Sequence, residues 1–184
     1  ISVLFNSKII MVSLKPPFLY FAIIWKWRFC GEIDVMEWSP FLGETIYSNA
    51  IHFANSSNNS DSLSYSYQNN PLDLTDNFHK YKTVISHPNN GSATIKMYFD
   101  EMLINMYELN DNKFNELYQT VNNSNEILST SKHYGLIMNL ALGGFYPEYS
   151  GDASSIVNDF PNFDHAIFKI RSINIDIEDA SDSP

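Results

Sequence analysis

The sequence has little cysteine, little glycine and few basic residues. Cys30 is the only cysteine, so no disulfide can form within the chain, and a free thiol alone indicates no compartment. Only seven glycines are present among 184 residues, which limits the number of turns with a positive φ. Lysine and arginine number 11 against 21 acidic residues, for a net charge of −10. Nucleic acids and anionic membranes bind through basic patches, so the composition argues against both as partners.

Long hydrophobic runs are also missing. The longest, FLYFAIIW at residues 18–25, has eight apolar residues and is too short to span a bilayer. It lacks the small-residue cleavage site of a signal peptide, so we interpret it as a buried strand. No cysteine and histidine spacing typical of a metal site is present. Because the chain begins with isoleucine, we expect a fragment or a processed chain.

Aromatic residues are abundant, with 13 Phe and 11 Tyr. The net charge of −10 suits a neutral ligand such as an uncharged sugar, and sugar rings stack on aromatic faces without needing charge. A length of 184 residues suits one domain with a sizeable core. Apolar and polar residues alternate in short segments that are separated by turn signals, with little helical pattern. The sequence therefore predicts an all-β sandwich.

The most informative segment is GEIDVMEW at residues 31–38. Glu32 and Asp34 are two apart and share one face of a strand. Glu37 is five positions from Glu32, so a regular strand would place it on the opposite face. One extra residue absorbed as a β-bulge, most simply Met36, would bring all three carboxyl groups to one face.

Three carboxyl groups on one face can act as a catalytic apparatus if that face is a groove. A retaining glycosidase uses a nucleophilic carboxylate and a second carboxyl group as acid and then base, held about 5 to 5.5 Å apart. Repulsion between like charges raises at least one pKa in such a cluster. The alternatives are a solvated acidic strand face and a calcium site. Calcium draws six to eight oxygens, usually from a loop, and a strand supplies too few.

GEIDVMEW resembles the active-site strand of glycoside hydrolase family 16, the laminarinase-like β-glucanases, whose signature is E-[ILV]-D-x-x-E in a bulged strand. HYGLIMNLALGG at residues 133–144 resembles the family strand P-x-x-L-I-L-N-L-A-x-G-G. The resemblance implies a jelly roll of two curved antiparallel sheets with a concave substrate cleft. It also implies endo-acting hydrolysis of β-1,3- or mixed β-1,3/1,4-glucan with retention. Glu32 would be the nucleophile and Glu37 the acid and base, with Asp34 orienting Glu32.

The resemblance also suggests residues that contact substrate. In NAIHF, His52 matches the second histidine of the family's HGTIH strand, and Ser48 replaces the first. Asn49 and His52 are an odd number apart, so they should face opposite ways. Asn139 in the second motif is either a sugar contact or a structural polar anchor. The candidate substrate-binding residues are His52, Asn139, Tyr146, Trp27 and Trp38.

The sequence also predicts a turn at residues 39–44, a short helix over residues 111–120 and a last strand over residues 166–177. An Asn-Gly signal predicts a hairpin between residues 81–86 and 94–99. In YFDEMLI, Glu101 occupies a position where the family has glycine, so this turn should be strained or rebuilt. Members of the family often bind a structural calcium through an aspartate of the last strand. Here that position is Ile167 or Phe168, so we expect no metal and no cofactor.

We expect residues 1–16 to be uninformative, residues 17–178 to form the family 16-like domain without its N-terminal part, and residues 179–184 to be an acidic tail. The partner would be a polysaccharide, with no nucleic acid or membrane, and the protein would be a monomer. Two alternatives remain, a glucan-binding protein without catalysis and a cell-wall transglycosylase. N-x-S/T sites suit a secreted protein. They begin at Asn55, Asn58, Asn90 and Asn122.

Overall fold

The structure, a computed structural model, describes most of the chain. The described residues are 2–6, 10–15, 30–38, 46–54, 62–68, 74, 77–87, 92–121, 124, 126–130, 135–140 and 167–176. The strands are β1 Ser2–Asn6, β2 Ile10–Lys15, β3 Glu32–Trp38, β4 Ile46–His52, β5 Ser62–Gln68, β6 His79–Ser86, β7 Ala93–Phe99, β8 Met102–Leu109, β9 Gln119–Val121, β10 Ile127–Thr130, β11 Gly135–Leu140 and β12 Ile167–Ser172. One helix is described, α1 Asp111–Glu116.

These strands form two five-stranded antiparallel sheets. The β3 sheet has the order β11-β2-β3-β4-β5, and the β7 sheet has the order β12-β1-β6-β7-β8. Strands β9 and β10 form a separate two-stranded sheet. Among the described residues, no helix is long and apolar enough to cross a membrane.

The two five-stranded sheets pack face to face through two clusters of apolar side chains. In one cluster, Met36 and Tyr47 of the β3 sheet contact Tyr81 and Phe99 of the β7 sheet. In the other, side chains of β3 and β4 meet those of β7 and β8 and residues of α1 and the turn after it. Burial of these side chains supplies the main favourable free energy of folding. The predicted all-β sandwich is confirmed.

The predicted hairpin is present as β6 and β7, paired from Tyr81 opposite Phe99 to Ser86 opposite Thr94. The next turn, between β7 and β8, is the one in which Glu101 replaces a glycine. Asp100 and Glu101 have φ of 45° and 69°, a region that non-glycine residues occupy at a cost. The expected strain at this turn is therefore confirmed.

Two elements are shorter than the sequence predicted. A helix was expected over residues 111–120, but α1 ends at Glu116 and the chain continues into β9. After the helix, the chain runs beside the residues just before β3, and Gly31 N donates a hydrogen bond to Gln119 O. The last strand was expected over residues 166–177, but β12 ends at Ser172. The predicted strand at residues 18–25 and the turn at residues 39–44 lie outside the described residues.

Candidate functional site

The predicted β-bulge is present in β3. On the β4 side, Asp34 pairs with Ala50 and Glu37 pairs with Ser48, so three steps along β3 match two steps along β4. On the β2 side, Asp34 and Met36 pair with consecutive residues and Val35 is left without a partner. The bulge is confirmed, but the extra residue is Val35 rather than Met36.

The bulge decides which way each side chain of β3 points. Val35 and Met36 are consecutive, yet both belong to the same buried cluster, because the bulge turns them to the same side. Glu37 is therefore shifted to the face that already holds Glu32 and Asp34. The charges of Asp34 and Glu32 both act on Glu37. The structure thus brings the three carboxyl groups together, as the sequence predicted.

The acids are more enclosed than the sequence suggested. The sequence placed them on the open face of a groove, whereas Glu32, Asp34 and Glu37 have only 3%, 2% and 8% of their surface exposed. Enclosure in a low-dielectric setting disfavours a charged carboxylate. Burial first, and then the charges of Asp34 and Glu32, raise the pKa of Glu37 to about 8. Glu37 is consequently a neutral, proton-bearing group at neutral pH.

Strand β4 supplies the polar partners of these acids. His52 Nε2 lies 2.9 Å from Asp34 Oδ2. Ser48 makes a side-chain hydrogen bond with Glu37, and this bond and His52 both lower the pKa of Glu37 against the larger effect of burial. Sequence reasoning noted Ser48 as the replacement of a family histidine but assigned it no role. Ser48 lies opposite Glu37 in the strand pairing, and aligning the two strands in the sequence could have indicated this contact.

Asn49, between these two residues, faces the other way. It is fully buried, and Tyr107 Oη donates a 2.7 Å hydrogen bond to its Oδ1 across the sandwich. The prediction that Asn49 and His52 point in opposite directions is confirmed.

Of the other predicted substrate-binding residues, one lies in line with the acids, one lies in the core and two are outside the described residues. Asn139 of β11 pairs with Met11 of β2, which pairs with Glu37, so Asn139 lies in the same row across the sheet. Trp38 is buried in the core with Tyr47 and Phe99, on the face opposite the acids. Its assignment as a substrate contact is therefore corrected: it is a packing residue. Trp27 and Tyr146 lie outside the described residues.

Gly31 holds the start of the acidic strand against the turn after α1. A Cβ atom at this position would lie 2.1 Å from Leu117 O and 2.4 Å from Leu117 Cα, both of which are backbone atoms. Real Cβ atoms do not approach backbone this closely, so only glycine allows this contact without a shift. The contact sets the position of the backbone just before Glu32.

The face that carries the acids continues across two more strands with small polar residues. Ser64 of β5 pairs with Ala50, and Ser66 pairs with Ser48. Strands β3, β4 and β5 contain neither lysine nor arginine. This part of the face offers hydroxyl groups and the His52 imidazole beside the carboxyl groups, and no lysine or arginine. Among the described residues, no group of three or more His, Cys, Asp and Glu could hold a metal ion.

No protein-family model matches the chain, and a search of curated proteins finds no match. Solved structures do match. The endo-1,3-β-glucanase from Streptomyces sioyaensis superposes with a TM-score of 0.59 at 15% identity, over 82% of this chain and 54% of that chain. A glycoside hydrolase family 16 endo-glucanase from Bacteroides ovatus gives a TM-score of 0.56 at 18% identity, over 91% of this chain and 62% of that chain.

The catalytic domain of the laminarinase from Thermotoga maritima gives a TM-score of 0.51 at 20% identity, over 79% of this chain and 53% of that chain. The chain therefore has the β-sandwich fold of these proteins and spans between half and two thirds of their length.

Proposed function

We propose that the chain is a retaining endo-glycoside hydrolase of the family 16 type that acts on β-1,3- or mixed β-1,3/1,4-glucan. The observation that carries this proposal is the bulge in β3, which aligns Glu37 with Glu32 and Asp34 and leaves Glu37 with a pKa of about 8. A general acid must be protonated at the working pH, and burial is the usual way to keep a glutamate so.

The two outer acids have complementary roles in this mechanism. Glu37 gives its proton to the glycosidic oxygen, and the carboxylate of Glu32 forms a bond to the anomeric carbon as the bond to that oxygen breaks. A water molecule then loses its proton to Glu37, its oxygen bonds to the anomeric carbon, and the bond to Glu32 breaks. Asp34 lies between them in the strand and is paired with His52, which fixes the orientation of its carboxyl group. No cofactor is required by these steps.

The chemistry of the face supports an uncharged substrate. The three acids would repel an anionic sugar, and β3 to β5 have no lysine or arginine to attract one. Hydroxyl groups such as those of Ser64 and Ser66 can donate to and accept from the hydroxyl groups of a neutral sugar. Because a polymeric glucan lies outside cells, we place the activity there.

Glutamine variants of the two glutamates test this assignment. Glu32→Gln and Glu37→Gln keep the shape of each side chain but remove the nucleophile or the transferable proton. We expect release of reducing sugar from laminarin to fall by at least about 10²-fold in each variant, the size of effect that acid and base groups contribute. Analysis of product length checks that the wild-type cleavage is internal.

The matched control is Glu108→Gln, since Glu108 is an exposed glutamate on β8 of the other sheet. Its rate should equal that of the wild type. Wild-type-like rates in Glu32→Gln or Glu37→Gln would reject the assignment.

The enclosure of Glu32, with 3% of its surface exposed, favours a second candidate, a glucan-binding protein without catalysis. Such a protein would bind laminari-oligosaccharides in calorimetry and release no reducing sugar on long incubation. Measurable product from the wild type that is lost in Glu37→Gln would exclude it.

A further inference from the structure

Basic residues collect on the outward face of the β7 sheet. Five of the 11 lysines and arginines form this group, which we call the basic face: Lys80, Lys82, Lys96, Lys169 and Arg171. The chain as a whole has a net charge of −10, so a group of cations on one surface is not expected from composition. The net charge is a sum over the molecule and does not show where cations and acids lie.

Strand alternation makes these lysines point away from the core. Lys80 and Lys82 flank Tyr81, which is buried, and Lys96 lies between two buried residues of β7. Lys82 pairs with Tyr98, and Lys96 pairs with Val84, so the two lysines are diagonal neighbours on adjacent strands. Side chains at such positions lie within about 7 to 8 Å of each other at Cα, so the cations form a flat array.

Most of these cations have no ion-pair partner in the part of the chain that the structure describes. Lys80 pairs with Glu101 there, whereas the other four cations of the face make no ion pair with a described acid. Glu108 lies on the same side, opposite Thr94, and is also unpaired among the described residues. Holding unpaired cations together on one surface costs repulsion, which an anionic ligand would relieve.

Aromatic rings lie beneath two of the cations. Lys82 Nζ is 5.3 Å from the centroid of the Tyr98 ring, and Arg171 Cζ is 4.1 Å from that of the Phe78 ring. These contacts hold the charged groups over the sheet. The exposed Leu103 and Met106 of β8 pair with Tyr98 and Lys96, so apolar side chains lie beside the cations at one border of the face. Membrane insertion uses apolar side chains among cations, so a phospholipid surface is the competing ligand.

We propose that the basic face binds an acidic polysaccharide, one that carries carboxylate or sulfate groups along its length. An extended polymer with regularly repeated charges can contact several cations of a flat array at once. The face is on the opposite side of the sandwich from Glu32, Asp34 and Glu37, so both sides can be occupied together. Attachment to an acidic polymer would hold the protein at high effective concentration near any neutral glucan mixed with it.

Affinity electrophoresis and calorimetry of the full chain with polygalacturonate test this proposal. The wild type should bind at low salt and weaken as salt is added, because the contacts are between exposed charges. Single variants Lys82→Gln, Lys96→Gln and Arg171→Gln should each raise the Kd by roughly two- to fivefold, and the triple variant by about tenfold or more.

The matched control is Lys113→Gln, because Lys113 is on α1, is paired with Glu116 and lies outside the basic face. Its Kd should stay within about twofold of the wild type. No binding of the wild type at low salt, or equal weakening by Lys113→Gln, would overturn the proposal. So would binding to vesicles of anionic phospholipid, or to RNA, without binding to polygalacturonate. Laminarin hydrolysis is measured on the triple variant as well, and it should be unchanged, so this proposal and the hydrolase assignment can fail separately.

Discussion

The structure strongly shifts the protonation of Glu37, whose pKa rises from 4.5 to about 8. The raised pKa means that the folded state favours the protonated form. The stability gained is full below pH 4.5 and is lost as the pH rises through about 8. We expect the free energy of unfolding to fall by up to about 1.4 kcal/mol per pH unit in this window from this group alone. Glu37→Gln should flatten that part of the stability profile in thermal melts.

The pH dependence of the hydrolysis rate should also report the protonation of Glu37. The rate should hold up to about pH 8 and fall above it, as the acid loses its proton. Ser48→Ala removes a hydrogen bond that lowers the pKa of Glu37, so it should move the alkaline limb of kcat/KM to higher pH. Ser86→Ala is the matched control, since Ser86 is an exposed serine at the end of β6 in the other sheet, and it should leave the limb unchanged. An alkaline limb that does not respond to Ser48→Ala would remove Glu37 as the titrating group.

For single residues, the sequence correctly predicted that the three acids share a face, but it misplaced some of their neighbours. The spacing of Glu32, Asp34 and Glu37 required a bulge, and the bulge is present. Strand alternation could not show which of two consecutive apolar residues is unpaired, since Val35 and Met36 both become buried. The same alternation would have placed Trp38 in the core, had the bulge been followed one residue further.

Among the described residues, the two non-glycine residues with positive φ both lie in the turn between β7 and β8. Asp100 and Glu101 both have positive φ, which favours glycine. Asp100 has compensating contacts: its carboxylate accepts from Lys80 N at 2.8 Å and lies 2.8 Å from His79 Nδ1. Glu101 has only an exposed ion pair with Lys80. The strain at Glu101 is therefore less offset than the strain at Asp100.

Glycine substitutions at these two positions should have opposite effects. Glu101→Gly relieves the strained φ and loses a surface pair that contributes little, so the Tm should rise by a few degrees, roughly 2 to 4 °C. Asp100→Gly also relieves strain but leaves His79 and Lys80 N without their acceptor, so the Tm should fall. Differential scanning calorimetry distinguishes the two. A fall of similar size in both variants would show that backbone strain is not the controlling factor.

The extent of the elements was predictable where alternation is long and regular, as in β4, β6 and β7. It was not predictable for α1, because the pairing that ends the helix joins residues far apart in sequence. Gly31 N donates to Gln119 O, and Cys30 pairs with Thr120 across about 90 positions. No local pattern around residue 116 carries that information.

For the whole molecule, composition predicted the fold class but described the surface poorly. The net charge of −10 argued against nucleic acids and anionic membranes as partners but did not indicate where the cations lie. In the folded chain, acids of β3 lie on one sheet and unpaired cations lie on the outward face of the other. The separation arises from which strands pair with which, and that order is a property of the topology rather than of the composition.

The two core clusters should unfold together, because they share a residue. Ile104 of β8 packs against both the cluster around Phe99 and the cluster around Ile95. Removing packing from either cluster should therefore lower the same transition. Ile95→Ala should cost about 2 to 5 kcal/mol and Phe99→Ala about 3 to 5 kcal/mol, since both side chains are buried between the sheets.

A chain of this size loses about 2 to 4 °C of Tm per kcal/mol, so each variant should melt well below the wild type. We expect one transition in every case, with coincident melting curves from near-ultraviolet circular dichroism and calorimetry. Ile104→Ala tests the link directly: if Ile104 couples the clusters, its loss should broaden the transition or separate the curves from the two methods. Two resolved transitions already in the wild type would show that the two clusters are independent cores, and the packing around Ile95 would then support only the start of β3, where Ile33 belongs to the same cluster.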